Sequence, residues 1–276
     1  VAPNLGIVPE YIAALDGIAM GLYWVSHHVD FAKYSVGKHR GEEVGLATFI
    51  SNIATILGPL VGGILIHYFS FITLFSIVSV LLFISALPLF NSRELHEPFH
   101  FSFKRIFNKE HKKDALVFSA VGAELMTAGV LWPIFIFSIL GFKYLNLGIV
   151  ITVTSVFMAF FAIFIGRLSD RSGKRKVIKY GALLNSVFWL VRGFTKTVTQ
   201  VYGATILAGI LSLTLLPMDA VTYDKANAGR RAEYIVFREI FLSVGRIILL
   251  LVFFLTTSFL VSFVFTGLAE LLYLLF

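Results

Sequence analysis

Long apolar segments constrain this chain more than any other feature of its sequence. The run ITVTSVFMAFFAIFI, residues 151–165, contains no charged residue. A helix needs about 20 mostly apolar residues to cross the hydrocarbon core of a bilayer. Segments near that length recur along the chain, and we predict nine membrane helices, at 10–30, 44–68, 70–91, 114–141, 145–166, 177–195, 199–221, 233–257 and 259–275.

The composition excludes most soluble classes. Charged residues make up only 14% of the chain and hydrophobic residues 58%, whereas soluble domains carry about a quarter charged residues. We therefore predict an all-α polytopic membrane protein in contact with a lipid bilayer. The chain has no cysteine, which excludes disulfides, iron–sulfur clusters and thiol catalysis. The sequence shows no nucleotide-binding loop, metal-ligand cluster or nucleophile motif, so we expect neither an enzyme nor a cofactor or metal.

The positive charges are distributed unevenly among the connecting loops. Loops 31–43, 92–113, 167–179 and 222–233 hold 18 of the 23 Lys and Arg residues. The alternate loops hold only Lys143, Arg192 and Lys196. Because cytoplasmic loops are enriched in Lys and Arg, we predict that the first set and the C-terminus face the cytoplasm. The same rule accounts for the net charge of +7, so we expect no nucleic-acid partner.

Two motifs resemble those of the major facilitator superfamily. The stretch GRLSDRSGKRK fits its signature loop at every defining position: Gly166, Asp170, Arg171, Gly173, Lys174 and Arg175. A second motif resembles the antiporter motif of proton-coupled efflux members. It consists of Gly45, Ala54, Gly58, Pro59, Gly62 and Gly63, with Ala54 in place of one glycine.

The resemblance implies a fold of twelve helices in two halves of six. The antiporter motif belongs to the fifth helix of that fold, so the nine predicted segments correspond to helices four to twelve, and the first three are expected to be absent. Residues 1–91 then belong to the N-terminal half, 92–113 form the central cytoplasmic loop, and 114–276 form the C-terminal six-helix half.

The resemblance also implies a role for the signature loop. In the family, this loop contacts the start of the fifth helix and latches the two halves together on the cytoplasmic side. Asp170 would pair with Arg171, with Lys174 or with a helix N-terminus, whose dipole favours an anion. The alternative is a solvated basic loop that only follows the topology rule. Gly58, Gly62 and Gly63 would allow close helix packing.

Ionisable side chains at membrane depth are the candidates for coupling, because each is costly to insert. The acids are Asp16, Glu124, Asp219 and Glu270. Glu124 and Asp16 are predicted near mid-depth, and the other two near the cytoplasmic side. A low dielectric disfavours a charged carboxylate, so Glu124 is our first candidate for loading and releasing a proton. Arg246, the predicted base near mid-depth, would pair with Glu124 or contact an anionic solute, and structural ion pairing is the alternative.

These observations predict a secondary active transporter. We expect a monomer in a prokaryotic plasma (inner) membrane that moves a small organic solute by alternating access, in proton-coupled efflux (antiport). Solute uptake by symport or uniport remains an alternative. A non-transporting membrane remnant or sensor is another.

Overall fold

The computed structural model describes residues 9–35, 40–90, 111–212, 215–228 and 231–276. Side-chain surroundings at Gly45 and at 166–172, among a few others, lie outside that description. All regular structure in the described residues is helical, which confirms the predicted all-α fold. Most of the predicted central loop, residues 91–110, lies outside the described residues.

The helices follow the predicted apolar segments closely. Three precede the central segment: α1 (Pro9–Tyr34), α2 (Arg40–Tyr68) and α3 (Phe71–Phe90). The others follow it: α4 (Lys112–Ile139), α5 (Tyr144–Ser172), α6 (Lys174–Arg192), α7 (Val198–Ser212), α8 (Leu215–Asn227), α9 (Arg231–Thr256) and α10 (Phe259–Glu270), with a final 3₁₀ turn at Leu271–Leu275. The segment predicted at 199–221 is divided between α7 and α8.

Five of these helices are long and apolar enough to cross a membrane, judged over the described residues. The stretches are Phe49–Tyr68, Phe71–Pro88, Lys112–Ile139, Tyr144–Phe161 and Arg231–Thr256. Two shorter apolar helices, Val198–Leu211 and Phe259–Leu275, accompany them. Many apolar side chains on these helices are exposed, such as Phe83 and Leu255, as expected of surfaces that face lipid rather than water.

A π-helical turn interrupts α4. The helix runs as Lys112–Met126, changes to a π-helical turn at Thr127–Leu131, and resumes at Trp132–Ile139. Pro133 lies two residues after the turn and has no backbone N–H to donate, so it disturbs the regular hydrogen-bond ladder one turn earlier. Such turns are frequent at functional sites, and this one begins three residues after Glu124.

The structure of the signature stretch GRLSDRSGKRK differs from the loop that the sequence predicts. We expected a loop over 167–179, but α5 continues through Ser172 and α6 begins at Lys174. The break is Gly173 alone, whose φ of +88° favours glycine. Arg, Lys and Ser are tolerated in helices, so charge density by itself did not indicate a loop. The structure does not describe the side-chain surroundings of Gly166, Asp170 and Arg171.

Two glycines allow α4 and α9 to touch through their backbones. A Cβ added at Gly122 would lie 2.0 Å from the Leu242 carbonyl oxygen, and one at Gly245 would lie 1.8 Å from that of Ser119. Real side chains do not tolerate such distances, so each glycine accommodates the opposing backbone. This contact fixes the position of α4 along α9, and with it the position of Glu124 in the helix bundle.

The antiporter-like motif contacts α5 through part of its residues only. A Cβ at Gly63 would lie 3.2 Å from the Tyr144 carbonyl oxygen, and a Cβ at Gly148 of α5 would lie 2.5 Å from that of Pro59. Our expectation for Gly58 was wrong, since no described atom lies within 4 Å of its added Cβ. The close packing therefore depends on Pro59, Gly63 and a glycine of α5 outside the motif. A Cβ added at Gly62 would lie 4.0 Å from a side-chain carbon of Leu74 on α3, an ordinary van der Waals distance. Ala54 is exposed, and the structure does not describe the surroundings of Gly45.

Candidate functional site

Two glutamates from distant parts of the chain meet inside the C-terminal helices. Glu124 lies on α4 and is 2% exposed, and Glu270 ends α10 and is fully buried. Asn185 of α6 lies between them and donates from Nδ2 to Glu124 Oε1 over 3.0 Å and to Glu270 Oε1 over 2.6 Å. One amide group thus orients both carboxyls.

Two further donors complete the surroundings of the carboxyls. The Tyr273 hydroxyl donates to Glu124 Oε2 over 2.7 Å, and Trp189 Nε1 donates to Glu270 Oε1 over 2.7 Å. Because both carboxyls accept from the same Asn185 Nδ2, their Oε1 atoms lie close together inside the protein. Burial and a neighbouring like charge both disfavour an ionised carboxylate, so we expect one of the two to carry a proton.

The helices supply these groups by regular spacing. Asn185, Trp189 and Arg192 are four and then three residues apart, which places them on one face of α6. Gly267 lets α10 approach that face, because its added Cβ would lie 2.8 Å from the Ser186 carbonyl oxygen. Ser186 Oγ donates in return to the Gly267 carbonyl oxygen over 2.6 Å. Glu270 follows one turn later and therefore points at Asn185.

Arg192 is the base nearest to the carboxyls, although the sequence placed it in an outer loop. That prediction was wrong: Arg192 is 3% exposed, and its Cζ lies 3.7 Å from the centroid of the Trp189 ring. Helical side chains tilt toward the helix N-terminus, which directs the guanidinium inward. One of its terminal nitrogens, NH2, donates to Asn185 Oδ1 over 3.5 Å.

Three buried polar atoms of this cluster have no hydrogen-bond partner among the described residues. They are Arg192 Nε, Trp132 Nε1 and Glu270 Oε2. Leaving a buried donor or acceptor unpaired costs about 1–3 kcal/mol, so three such atoms in one cluster are unusual. We name Glu124, Asn185, Glu270, Trp189, Tyr273, Arg192 and Trp132 the carboxyl cluster.

A second polar group joins α1 to α8 and α9. His28 Nδ1 lies 2.6 Å from the Tyr223 hydroxyl and His28 Nε2 lies 4.0 Å from Glu239 Oε1. Arg238 pairs with Glu239 and, over 3.1 Å, with Asp219. The candidate Asp219 is therefore ion-paired with Arg238, and among the described residues no hydrogen bond or ion pair joins it to Glu124.

The remaining candidates lie apart from the carboxyl cluster. Asp16 is exposed on α1, and Arg246 is half-buried on α9. Within the described structure, no hydrogen bond or ion pair joins Arg246 to Glu124, so the base beside Glu124 is Arg192. Lys174 pairs with Asp224 over 3.2 Å, and Arg175 is exposed. Over the same residues, no group of three or more metal-ligating side chains is present.

Sequence reasoning missed most of the partners of Glu124. Single polar or aromatic residues such as Asn185, Trp189 and Tyr273 do not by themselves indicate a site in an apolar helix. The spacing of some of them does indicate a shared helix face. The pattern Asn185-x3-Trp189-x2-Arg192 places an amide, an indole and a guanidinium on one face of an otherwise apolar helix. Such a polar face inside a membrane indicates a functional or structural network.

Comparison with known proteins identifies the family. The family profile described as "Major Facilitator Superfamily" matches residues 11–110 and 115–276. The chain therefore belongs to the major facilitator superfamily, a superfamily of membrane transporters. It is also similar to the "Uncharacterized protein YqgE" of Bacillus subtilis (strain 168), with 26% identity over 267 residues. That match covers 90% of this chain, which spans 61% of the length of the relative.

Proposed function

We propose that the protein is a secondary active transporter that couples movement of a small organic solute to movement of a proton. The observation that carries the proposal is that Glu124 and Glu270, both buried, accept hydrogen bonds from the same Asn185 Nδ2. Two neighbouring buried carboxyls disfavour double ionisation, so we expect them to hold one proton between them. The carboxyl cluster thereby forms a proton store inside the helix bundle.

The cluster has the parts that coupling requires. It joins α4, α6 and α10, so a change in its charge acts on the packing of three helices. Arg192 and both carboxyls bind the same side chain, Asn185, so loss of the shared proton increases the attraction between the carboxyl pair and the nearby Arg192. Buried networks of this kind have few stable arrangements, because each polar atom needs a partner. Proton binding and release therefore favour different arrangements of the helices.

The direction that we propose is antiport. The motif of α2 resembles that of proton-coupled efflux members, and α2 packs along α5 through Pro59 and Gly63. Thr152 of α5 also donates to the Ile56 carbonyl oxygen over 2.9 Å. This seam joins the two halves that the family resemblance implies, and alternating access requires them to move relative to each other.

Symport is the second candidate, and the position of Arg192 favours it. An ionised carboxyl pair competes with a bound anion for Arg192, whereas a protonated pair does not. A proton and an anionic solute would then bind together, because each increases the affinity for the other. The two directions therefore differ in the chemistry of the solute.

A proton-flux measurement tests the proposal. The protein expressed from its complete gene is reconstituted into liposomes that contain a trapped pH-sensitive dye, and a panel of organic anions, cations and neutral solutes is added outside. Antiport makes the lumen more alkaline as solute enters, and symport makes it more acidic. We expect Glu124→Gln to abolish this proton movement and to preserve exchange of the same solute across the membrane.

Asp16→Asn provides the matched control, since it removes an exposed acid of α1 outside the carboxyl cluster. We expect it to leave proton movement unchanged. If solute still drives proton movement in Glu124→Gln, the carboxyl pair is not the proton carrier. If only Asp16→Asn abolishes proton movement, Asp16 is the proton carrier instead. If no solute of the panel moves protons, the non-transporting alternative gains support.

A further inference from the structure

Arg192 is a buried cation with few hydrogen bonds. A guanidinium carries five N–H donors, and among the described residues its one hydrogen bond is the 3.5 Å contact with Asn185 Oδ1. Its Nε has no partner there, and the side chain is 3% exposed. Its Cζ lies 3.7 Å from the centroid of the Trp189 ring and 4.9 Å from that of Phe188, so aromatic rings rather than hydrogen-bond acceptors surround the charge.

A second unpaired donor lies beside it. Trp132 is 4% exposed, and its Nε1 also lacks a partner among the described residues. The Arg192 Cζ lies 5.6 Å from the centroid of the Trp132 ring. Two buried donors without acceptors, one of them charged, therefore occupy one small region of the carboxyl cluster.

The chemistry of these donors selects the group that would satisfy them. Guanidinium edges match the planar geometry of a carboxylate, and an indole N–H adds a third donor. A dianion such as phosphate is disfavoured, because Arg192 is the one base of the carboxyl cluster, which also holds Glu124 and Glu270. A cationic group at these two donors would be repelled by Arg192.

The surroundings also indicate the rest of the solute. Phe135 and Phe263 pack against Trp132, with ring centroids 5.7 and 5.9 Å away. Phe259 extends the aromatic wall, 5.5 Å from Phe135. These rings pack against one another in the hydrophobic core, so the region beside the two donors is apolar, and a solute bound there would need an apolar body.

We propose that Arg192 and Trp132 bind the carboxylate of a small, apolar-bodied organic acid, which is the transported solute. This inference rests on the proposed function and names its substrate class. It rests on the proposed proton coupling but replaces antiport with the symport alternative, because an ionised carboxyl pair and a bound carboxylate compete for Arg192. Glu124 and Glu270 hold the proton, and Arg192 and Trp132 hold the solute.

Binding is measured without any gradient. The protein carries Trp24→Phe, which removes the exposed tryptophan of α1, so that within residues 1–276 Trp132 and Trp189 are the fluorescent reporters. Benzoate and butyrate are titrated in detergent against benzamide and butyramide, which keep the shape and lose the charge. We expect each carboxylate to bind at least about tenfold more tightly than its amide, because a charge-assisted hydrogen bond is roughly twice as strong as a neutral one.

Two variants locate the site. Arg192→Lys keeps the charge and loses the forked geometry, so we expect carboxylate affinity to fall about tenfold or more. Trp132→Phe keeps an aromatic ring and removes the donor, so we expect a loss of a few-fold, as for one hydrogen bond. Lys196→Gln is the control, since it removes an exposed charge four residues beyond Arg192, and we expect wild-type affinity.

The inference is overturned if carboxylates and amides bind alike, or if both variants bind carboxylates as the wild type does. If Arg192→Lys fails to fold, Trp132→Phe decides by itself. A different result would overturn the proposed function alone. If carboxylate binding depends on Arg192 but proton movement persists in Glu124→Gln, the carboxyl pair does not carry the proton, and the solute site still stands.

Discussion

The contact between α4 and α9 gives a quantitative prediction. Gly122→Ala places a methyl group 2.0 Å from the Leu242 carbonyl oxygen. The closest favourable carbon–oxygen contacts are about 3.3–3.6 Å, so the two helices must separate locally by roughly 1.3 Å or more. The obstructing atom belongs to the backbone, and no change of rotamer relieves the clash. We therefore expect an overpacking cost near the upper end of the usual range, about 3 kcal/mol.

Thermal unfolding of the purified protein measures this cost. Gly203→Ala is the matched control, because Gly203 also lies inside a helix and no described atom is within 4 Å of its added Cβ. The helix propensity gained from alanine applies to both variants and cancels in their comparison. At about 2–4 °C per kcal/mol, Gly122→Ala should unfold roughly 6–12 °C below Gly203→Ala. Equal Tm values would refute the close crossing and the position it gives Glu124.

Three further predictions concern topology and the predicted cytoplasmic side. Single cysteines introduced by Asn108→Cys and Ser172→Cys should not react with an impermeant reagent added outside intact cells, and strong labelling would invert the charge-based topology. His28→Phe should lower the free energy of unfolding by about 1–3 kcal/mol, because it leaves the buried hydroxyl of its tyrosine partner unpaired. The control His67→Phe, at an exposed site on α2, should leave the free energy of unfolding unchanged. Asp170→Asn should reduce transport at equal membrane abundance, and an unchanged rate would limit the signature stretch to a topology signal.

The sequence was sufficient to predict the helices and to name both acids of the carboxyl cluster, Glu124 and Glu270, as candidates. Apolar length located the helices because it is a local property of the chain, and among the described residues five helices are long and apolar enough to cross a membrane. The same reasoning singled out Glu124, an acid about 18 Å along its helix from Lys112 at 1.5 Å per residue. Burial of Glu124 then followed from the apolar residues around it.

The partners of Glu124 could not be predicted in the same way. Glu270 and Asn185 reach it from other helices, and the relative height of those helices depends on backbone contacts such as that at Gly267. No local pattern encodes that height. Arg192 was assigned to a loop because it ends an apolar run, yet stacking on Trp189 allows its charge to be buried. The network therefore became visible only once the helices were packed.

The most direct test of the central claim is infrared difference spectroscopy of the reconstituted protein during a pH titration. A protonated carboxyl shows a C=O stretching band that an ionised carboxylate lacks. If Glu124 and Glu270, which share the donor Asn185, hold one proton between them, the wild type should show a carboxyl band that disappears as pH rises and that Glu124→Gln removes or displaces. A band that is unchanged in both Glu124→Gln and Glu270→Gln, or the absence of any titrating carboxyl band in the wild type, would contradict the shared proton.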